Sequence, residues 1–274
     1  MHSPSVTLLP PAPRHEVRRA RRADSLARAP RPARILGLLI GLLLALTASV
    51  VSAGGINLNW NNCSAGASPP PLQDVTFACN TNTGLAGTLF ASFEPNVVQN
   101  LVAFEFVIDI QSAGSTLPAW WEYKATGACR ATSMTMNTNF VTGPFDCVDT
   151  WGGTIALQNF SYLIGHHGPS TARISGFGAI AVPEWVVVDV GSEYYCFSLR
   201  IDREKTVGLG SCDGCLDPVC LVFNELALYD EVGVRTILSA PATSNYVTWQ
   251  GHGYQLCVTP TYRATWGRIK SIYR

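Results

Sequence analysis

The sequence predicts an all-β protein, specifically an antiparallel β-sandwich of the jelly-roll or Greek-key type that contains disulfides. Three observations favour this fold class. Apolar and polar residues alternate along short stretches, 24 glycines and 17 prolines supply frequent turns, and nine cysteines offer cross-links. In residues 101–111, for example, Phe104, Phe106, Ile108 and Ile110 fall on one face of a strand. A barrel and two tandem small sandwiches are the alternatives.

Thirteen runs have the length and composition of strands and are bounded by turn residues. They cover residues 74–79, 87–93, 101–111, 120–124, 131–137, 154–163, 171–182, 185–190, 193–201, 219–229, 234–239, 246–250 and 254–258. Alternation is clearest in the run from residue 101, in Tyr195 to Ile201, and in Leu221 to Leu228. Such alternation is typical of antiparallel sheets with one buried face.

Residues 1–53 have the order of parts of a secretory signal peptide, with a helical apolar segment. Eight arginines precede the apolar run 35–51, and small residues at Ser52 and Ala53 suit a signal peptidase. An uncleaved membrane anchor is the alternative, because the run approaches the length of a membrane-spanning helix. We therefore expect a signal peptide at 1–53, a sandwich domain at 54–260, a short C-terminal tail at 261–274, and a secreted or cell-surface location.

Removal of the leader reveals an acidic protein. The chain has 19 basic and 19 acidic residues, and the leader holds 8 and 2 of them, so residues 54–274 carry a net charge of −6. A nucleic-acid partner is not expected, because phosphate binding requires a positive surface. Extracellular or cell-surface proteins or glycans are the expected partners, with a membrane contacted only through an uncleaved leader or the tail.

All nine cysteines follow the leader, and in an oxidising compartment disulfides are the expected state. They are Cys63, Cys79, Cys129, Cys147, Cys196, Cys212, Cys215, Cys220 and Cys257. Proximity in sequence favours Cys63 with Cys79, Cys129 with Cys147, and one bridge within the cluster Cys212, Cys215 and Cys220, although connectivity does not follow from sequence. For that cluster a zinc site and a thiol-exchange site are the alternatives to disulfides. One cysteine must stay outside intrachain bridges because the number is odd.

No catalytic constellation is recognisable, and we expect no catalytic residues. Glu105 and Asp109 share one strand face but lie about 13 Å apart, beyond the range of glycosidase carboxylate pairs. The histidines of the expected mature chain, His166, His167 and His252, lie in glycine-rich turns, and no metal site is predicted from them. No cofactor is expected, apart from a weak signal for calcium in the acidic loops 146–149 and 213–217.

Two further groups of residues are candidate binding elements. The aromatic residues Trp120, Trp121 and Trp151 are candidates for stacking on sugar rings, and packing in the core is the alternative, expected for most of the aromatic residues. In the tail, Trp266, Arg268, Ile269, Lys270 and Tyr273 are candidates for an anchor, within a short amphipathic helix that Thr265 caps. Such a short helix needs a surface to bind, and the three alternatives are the acidic body of the protein, a partner and a membrane surface.

Three segments carry a resemblance to other proteins. Residues 206–220, with the pattern CxGCxxPVC, residues 246–251, and residues 265–274, with the pattern TWGxIKxxYR, resemble a group of uncharacterised predicted secreted bacterial proteins. The resemblance implies secretion and a C-terminal sorting or anchoring element, but no activity. The sequence thus favours a non-enzymatic structural or adhesive protein, and an extracellular glycan-binding module or jelly-roll hydrolase is the alternative.

Overall fold

The computed structural model describes residues 54–63, 72–140, 147–181, 183–251 and Cys257. The predicted signal peptide, the predicted tail helix and His252 lie outside these residues. Strands dominate the described part of the chain, and its one helical element is a 3₁₀ turn at Ala119–Trp121. No helix of the described part is long and apolar enough to cross a membrane. The prediction of an all-β protein is therefore confirmed.

Twelve strands are described. They are β1 (Gly55–Trp60), β2 (Asp74–Val75), β3 (Leu85–Glu94), β4 (Gln99–Ser112), β5 (Met134–Asn137), β6 (Ile155–Ile164), β7 (Thr171–Ile180), β8 (Val186–Val188), β9 (Tyr194–Asp202), β10 (Val219–Asp230), β11 (Arg235–Leu238) and β12 (Tyr246–Trp249). Most lie within one or two residues of a predicted run, because apolar alternation is a local property of the sequence.

The strands form two sheets. The smaller sheet has the order β1-β3-β9-β5, and the larger has the order β2-β12-β10-β4-β7-β6, with β11 also beside β10 and β8 also beside β4. Neighbouring strands are antiparallel except for the short parallel contact of β2 with β12. The larger sheet is therefore mixed, whereas the sequence predicted antiparallel pairing alone.

The two sheets face each other across an aromatic core. Phe197 of β9 stacks on Phe106 of β4 with ring centroids 3.8 Å apart, and it also contacts Phe104 and Phe223. Gly178 of β7 leaves room for this layer, because a Cβ atom there would lie 2.4 Å from Cε1 of Phe104. The core thus combines rings from both sheets, and Gly178 makes room for the Phe104 ring beside it in the larger sheet.

The structure differs from the prediction at one predicted strand and at one strand that was not predicted. The run 120–124 begins in the 3₁₀ turn and is not a strand. The Trp121 amide donates to the Pro118 carbonyl there, so Trp120 and Trp121 enter the core from a turn. Strand β1 was not predicted, although Ile56, Leu58 and Trp60 alternate with asparagines. All six β1 residues are buried, which is the arrangement of a strand covered on both faces.

Four disulfides are present, and none has the pairing that sequence proximity favoured. They join Cys63 to Cys147, Cys79 to Cys215, Cys129 to Cys212, and Cys220 to Cys257. The pairing by proximity is therefore wrong, because the fold places cysteines that are distant in sequence, up to 136 residues apart, side by side. The cluster of three cysteines forms three bridges to other segments, and the remaining cysteine, Cys196, is a buried free thiol. Disulfides of this number are typical of an oxidising compartment.

Candidate functional site

A group of hydrogen-bonded ionisable side chains lies on the outer face of the larger sheet, the face directed away from the smaller sheet. Asp109 of β4 accepts two hydrogen bonds from the guanidinium of Arg173 on β7, at 2.6 and 2.7 Å. It also accepts one from the amide of Asn224 at 2.9 Å. Asn224 is the extra residue of a β-bulge in β10, where the register with β4 shifts. One carboxylate thereby connects three neighbouring strands.

The two histidines of the β6–β7 turn adjoin this group. His167 Nε2 lies 3.1 Å from Arg173 Nη2 and 3.7 Å from Asp109 Oδ2, and the His166 ring is 4.2 Å from the His167 ring. Desolvation, followed by the positive charge of Arg173, lowers the pKa of His166. Because the side chains of Asp109 and Arg173 bond to one another, the group links strands β4 and β7.

Glu105 does not join Asp109. Its carboxylate accepts a hydrogen bond from the Tyr229 hydroxyl at 2.7 Å, whereas Asp109 is bonded to Arg173 and Asn224. Each carboxylate therefore has its own partners. The hydrogen bond to Glu105, then desolvation and the negative charge of Glu105, raise the pKa of Tyr229.

Within the described residues, no three His, Cys, Asp or Glu side chains are grouped so that they could hold a metal ion. Of the two acidic loops with a calcium signal, the first includes Asp146, which lies outside the described residues. The second lines a surface depression of about 180 Å³ beside the bridges Cys79–Cys215 and Cys129–Cys212. Asp213 and Asp217 are the carboxylates of this depression.

The tryptophans that were candidates for glycan stacking are core residues, and that assignment is corrected. Trp120, Trp121 and Trp151 have no exposed surface. The indole nitrogen of Trp120 donates to Thr206 Oγ1 at 3.1 Å, and that of Trp151 donates to the Cys196 carbonyl at 2.7 Å. Rings held in this way cannot stack on a sugar without opening the fold. Sequence alone does not separate them from exposed rings, because aromatic residues serve both roles.

A buried arginine, which the sequence did not indicate, supports these rings. Arg130 is 1% exposed, and its guanidinium lies 3.6 Å from the centre of the Trp120 ring. It donates hydrogen bonds to the carbonyls of Trp120, Asp202 and Glu204 and to the Tyr123 hydroxyl. Burial lowers the pKa of Arg130 and raises that of Tyr123. Carbonyl oxygens and a ring face thus compensate for the lost hydration of the cation.

One end of the larger sheet exposes a group of apolar side chains. We call it the valine-rich end, and it consists of Val97, Val98, Trp185, Val187, Val190 and Val232. Their exposed fractions range from 43% for Val190 to 77% for Val232. Grouped exposed apolar side chains on a folded domain mark an interaction site.

Strand register brings the segments of the valine-rich end together. Val187 of β8 is paired with Asn100 of β4, and the Asn100 carbonyl accepts a hydrogen bond from the amide of Glu231 at 3.1 Å. Val232 follows in the β10–β11 turn, and Val98 immediately precedes β4. The sequence contained a signal for this surface, since Val97 and Trp185 follow the turn segments Pro95-Asn96 and Pro183-Glu184.

The same end is acidic. Residues 94–101, 184–193 and 230–234 contain six acidic residues and no basic residue. Glu184, Asp189 and Glu231 are exposed among them. Two others are bonded within the fold: Glu193 accepts from Ser92 Oγ at 2.6 Å, and Asp230 accepts from the Val234 amide at 2.7 Å. Apolar side chains beside exposed carboxylates favour a partner that is apolar and basic.

The candidate anchor residues Trp266, Arg268, Ile269, Lys270 and Tyr273 lie outside the described residues, but the point from which their segment departs is described. Cys257 is bonded to Cys220, and both are buried beside Val222 and Tyr246. Cys220 is the second residue of β10, whereas the valine-rich end adjoins the last residue of that strand. The segment after Cys257 therefore starts at the opposite end of β10.

Comparison with models of protein families, with curated proteins and with solved structures found no match for this chain.

Proposed function

We propose that the protein is a non-enzymatic secreted or cell-surface β-sandwich, of jelly-roll or Greek-key type, with a structural or adhesive role. The observation that carries the proposal is the valine-rich end, where grouped apolar side chains and carboxylates are exposed at one end of a sheet. Such a surface is suited to binding another macromolecule.

The disulfides support an extracellular role. Four bridges are present, and apart from Cys220 of β10 the bridged cysteines lie outside the described strands, so the bridges mainly hold connecting segments. Cross-links of this kind limit the unfolded state and stabilise proteins that work outside the cell. The leader supports export, and a new N-terminus at or near Gly54, found by peptide mapping of exported protein, is the expected sign of cleavage.

The alternative, a glycan-binding module or a jelly-roll hydrolase, has no specific observation in its favour among the described residues. The three tryptophans proposed for sugar stacking are buried. Glu105 and Asp109 are bonded to different partners.

Retention of the exported protein on the cell surface tests the proposal. In cells that express the full chain with its leader, we expect the variant Trp185→Ser with Val187→Lys to pass from the cell-associated fraction into the medium. The matched control is Leu209→Lys, which places the same charge at a fully exposed leucine away from the valine-rich end. Equal distribution of wild type, variant and control between the two fractions would contradict the proposal.

A further inference from the structure

We propose that residues 258–274 of one copy bind the valine-rich end of a second copy, so that the protein assembles head to tail. The inference rests on the proposed function and names the partner of the same surface. Three observations carry it, namely the position of Cys257, the composition of the segment that follows, and the composition of the valine-rich end.

The first observation is that Cys257, after which the terminal segment begins, and the valine-rich end lie at opposite ends of one strand. Cys257 is held at Cys220, and the valine-rich end adjoins Asp230, the last residue of β10. Ten residue steps of about 3.4 Å separate Cys220 from Asp230 by about 34 Å. A head-to-tail contact requires two different binding surfaces at opposite ends of the molecule, here the start of the terminal segment and the valine-rich end.

The second and third observations are complementary compositions. Residues 258–274 contain Arg263, Arg268, Lys270 and Arg274 and no acidic residue, and Trp266, Ile269, Ile272 and Tyr273 are their apolar residues. The valine-rich end offers Trp185, Val98, Val187 and Val232 together with the exposed carboxylates of Glu184, Asp189 and Glu231. Apolar burial supplies the affinity of such a contact, and charge complementarity orients it.

Chain length favours a second copy over the same copy. Trp266 follows Cys257 by nine residues, and nine residues in full extension reach about 31 Å. Trp266 could therefore approach the valine-rich end of its own molecule only if the connecting segment were fully stretched along the sheet, at a cost in conformational entropy. Binding to a neighbouring molecule requires no such extension.

A contact of this kind is heterologous, because two different surfaces of the chain meet. A pair of copies joined in this way still presents one vacant valine-rich end, on the copy that contributes its segment, and one vacant terminal segment, on the other copy. Repetition consequently produces an open chain of copies, or a ring if the rotation closes. Either product fits a structural protein, and neither would arise from a twofold dimer.

Analytical ultracentrifugation tests the assembly with the full chain, expressed with its leader and purified in the form that the cell exports. From about 1 to 100 μM, we expect the mean mass of the wild type to rise beyond that of two chains. Added salt should reduce this mass, because ions screen the attraction between the exposed carboxylates and the basic residues of the segment. A wild type that stays monomeric over this range would overturn the proposal.

Two variants separate the two halves of the contact. Val98→Lys with Val187→Lys changes the valine-rich end, and Arg268→Glu with Lys270→Glu changes the terminal segment. Each should weaken self-association at least tenfold, whereas Leu209→Lys should leave it unchanged. A single free thiol exposed only by denaturant serves as a check that each variant has folded.

Mixing the two variants is the decisive measurement. The first variant keeps an intact segment and the second keeps an intact valine-rich end, so an equimolar mixture should form complexes of two chains and none longer. A mixture that stays monomeric, or association that persists in either variant alone, would overturn the head-to-tail contact. The two proposals can fail separately. If the wild type were monomeric but the Trp185→Ser, Val187→Lys variant still lost surface retention, head-to-tail assembly would be refuted and the proposed function would stand.

Discussion

Arg130 is a single buried cation that we expect to contribute strongly to the stability of this fold. Its guanidinium connects the turn that holds Trp120 to the end of β9, through the carbonyls of Trp120, Asp202 and Glu204. Because a methionine can fill the same volume but donates no hydrogen bond, Arg130→Met leaves these buried acceptors without a donor. We expect it to lower the free energy of unfolding by about 3 kcal/mol or more.

Urea denaturation without reductant measures this effect. The matched control is Arg200→Met, because Arg200 is an exposed arginine of β9 and its replacement should change stability by less than about 0.5 kcal/mol. Equal midpoints for Arg130→Met and the wild type would show that the carbonyls find other donors.

Cys196 provides a second test at the residue scale. Its thiol is buried on β9, and burial raises its pKa well above the usual value, so the reactive thiolate is suppressed. We expect no thiol to react with an aromatic disulfide reagent in the native protein at pH 8. One thiol should react in denaturant without reductant, and all nine after reduction.

Peptide mapping of the labelled protein should place the single label on Cys196. The sign of the pKa shift also predicts that Cys196 favours unfolding at alkaline pH, because the unfolded thiol ionises above about pH 8.5 while the buried one stays protonated. Labelling of a second cysteine in denaturant would contradict the four bridges.

At the scale of strands, Asp109 is the residue that connects β4, β7 and β10. It is 9% exposed and accepts hydrogen bonds from Arg173 and Asn224. Asp109→Ala would leave both donors without this acceptor, and we expect the free energy of unfolding to fall by about 2 kcal/mol. Thermal unfolding measures the change.

Glu105→Ala is the control on the same face of the same strand. Glu105 is exposed and its described hydrogen bond is to Tyr229, so its removal should change stability by less than about 1 kcal/mol. If the two variants were equally stable, Asp109 would be a solvated charge that contributes nothing to strand pairing.

The strands also show what sequence patterns can and cannot predict. Alternation predicted β4, β9 and β10, because the side-chain period of a strand is a local property. The bulge of β10 is also visible in the sequence. The buried residues Leu221, Phe223, Leu226 and Leu228 are spaced by two residues except for the spacing of three between Phe223 and Leu226. The partner of Asp109 was not predictable, because it depends on β7 and β10 lying on the two sides of β4.

The same limit applies to the disulfides and to the candidate site. Cys79 and Cys215 meet only after β2, β12 and β10 have assembled, so proximity along the chain gave the wrong partner. The valine-rich end combines three segments that are distant in sequence. Composition indicated that the protein is acidic, but only strand register indicates where carboxylates and exposed valines coincide.

For the whole molecule, the four bridges should differ in what they stabilise. The Cys79–Cys215 bridge adjoins Gln250, whose amide donates to the carbonyls of Phe77 and Cys215. The Trp249 indole donates to the Cys215 carbonyl as well. This bridge therefore fixes the segment after β2 against β12 and the aromatic core, whereas Cys220–Cys257 holds a segment that follows the last described strand.

Replacing both cysteines of one bridge by alanine tests this difference. In the chain-entropy model, a loop of 136 residues is worth about 5 kcal/mol and a loop of 37 residues about 4 kcal/mol, before the remaining bridges shorten both loops. We expect Cys79→Ala with Cys215→Ala to lower the denaturation midpoint more than Cys220→Ala with Cys257→Ala. Only the former removes the Cys79 sulfur that accepts from Gln250 and loosens the segment whose Cys215 carbonyl accepts from Trp249 and Gln250. The opposite order would mean that the chain after Trp249 contributes more to the stability of the sheets than the core contacts around Cys215.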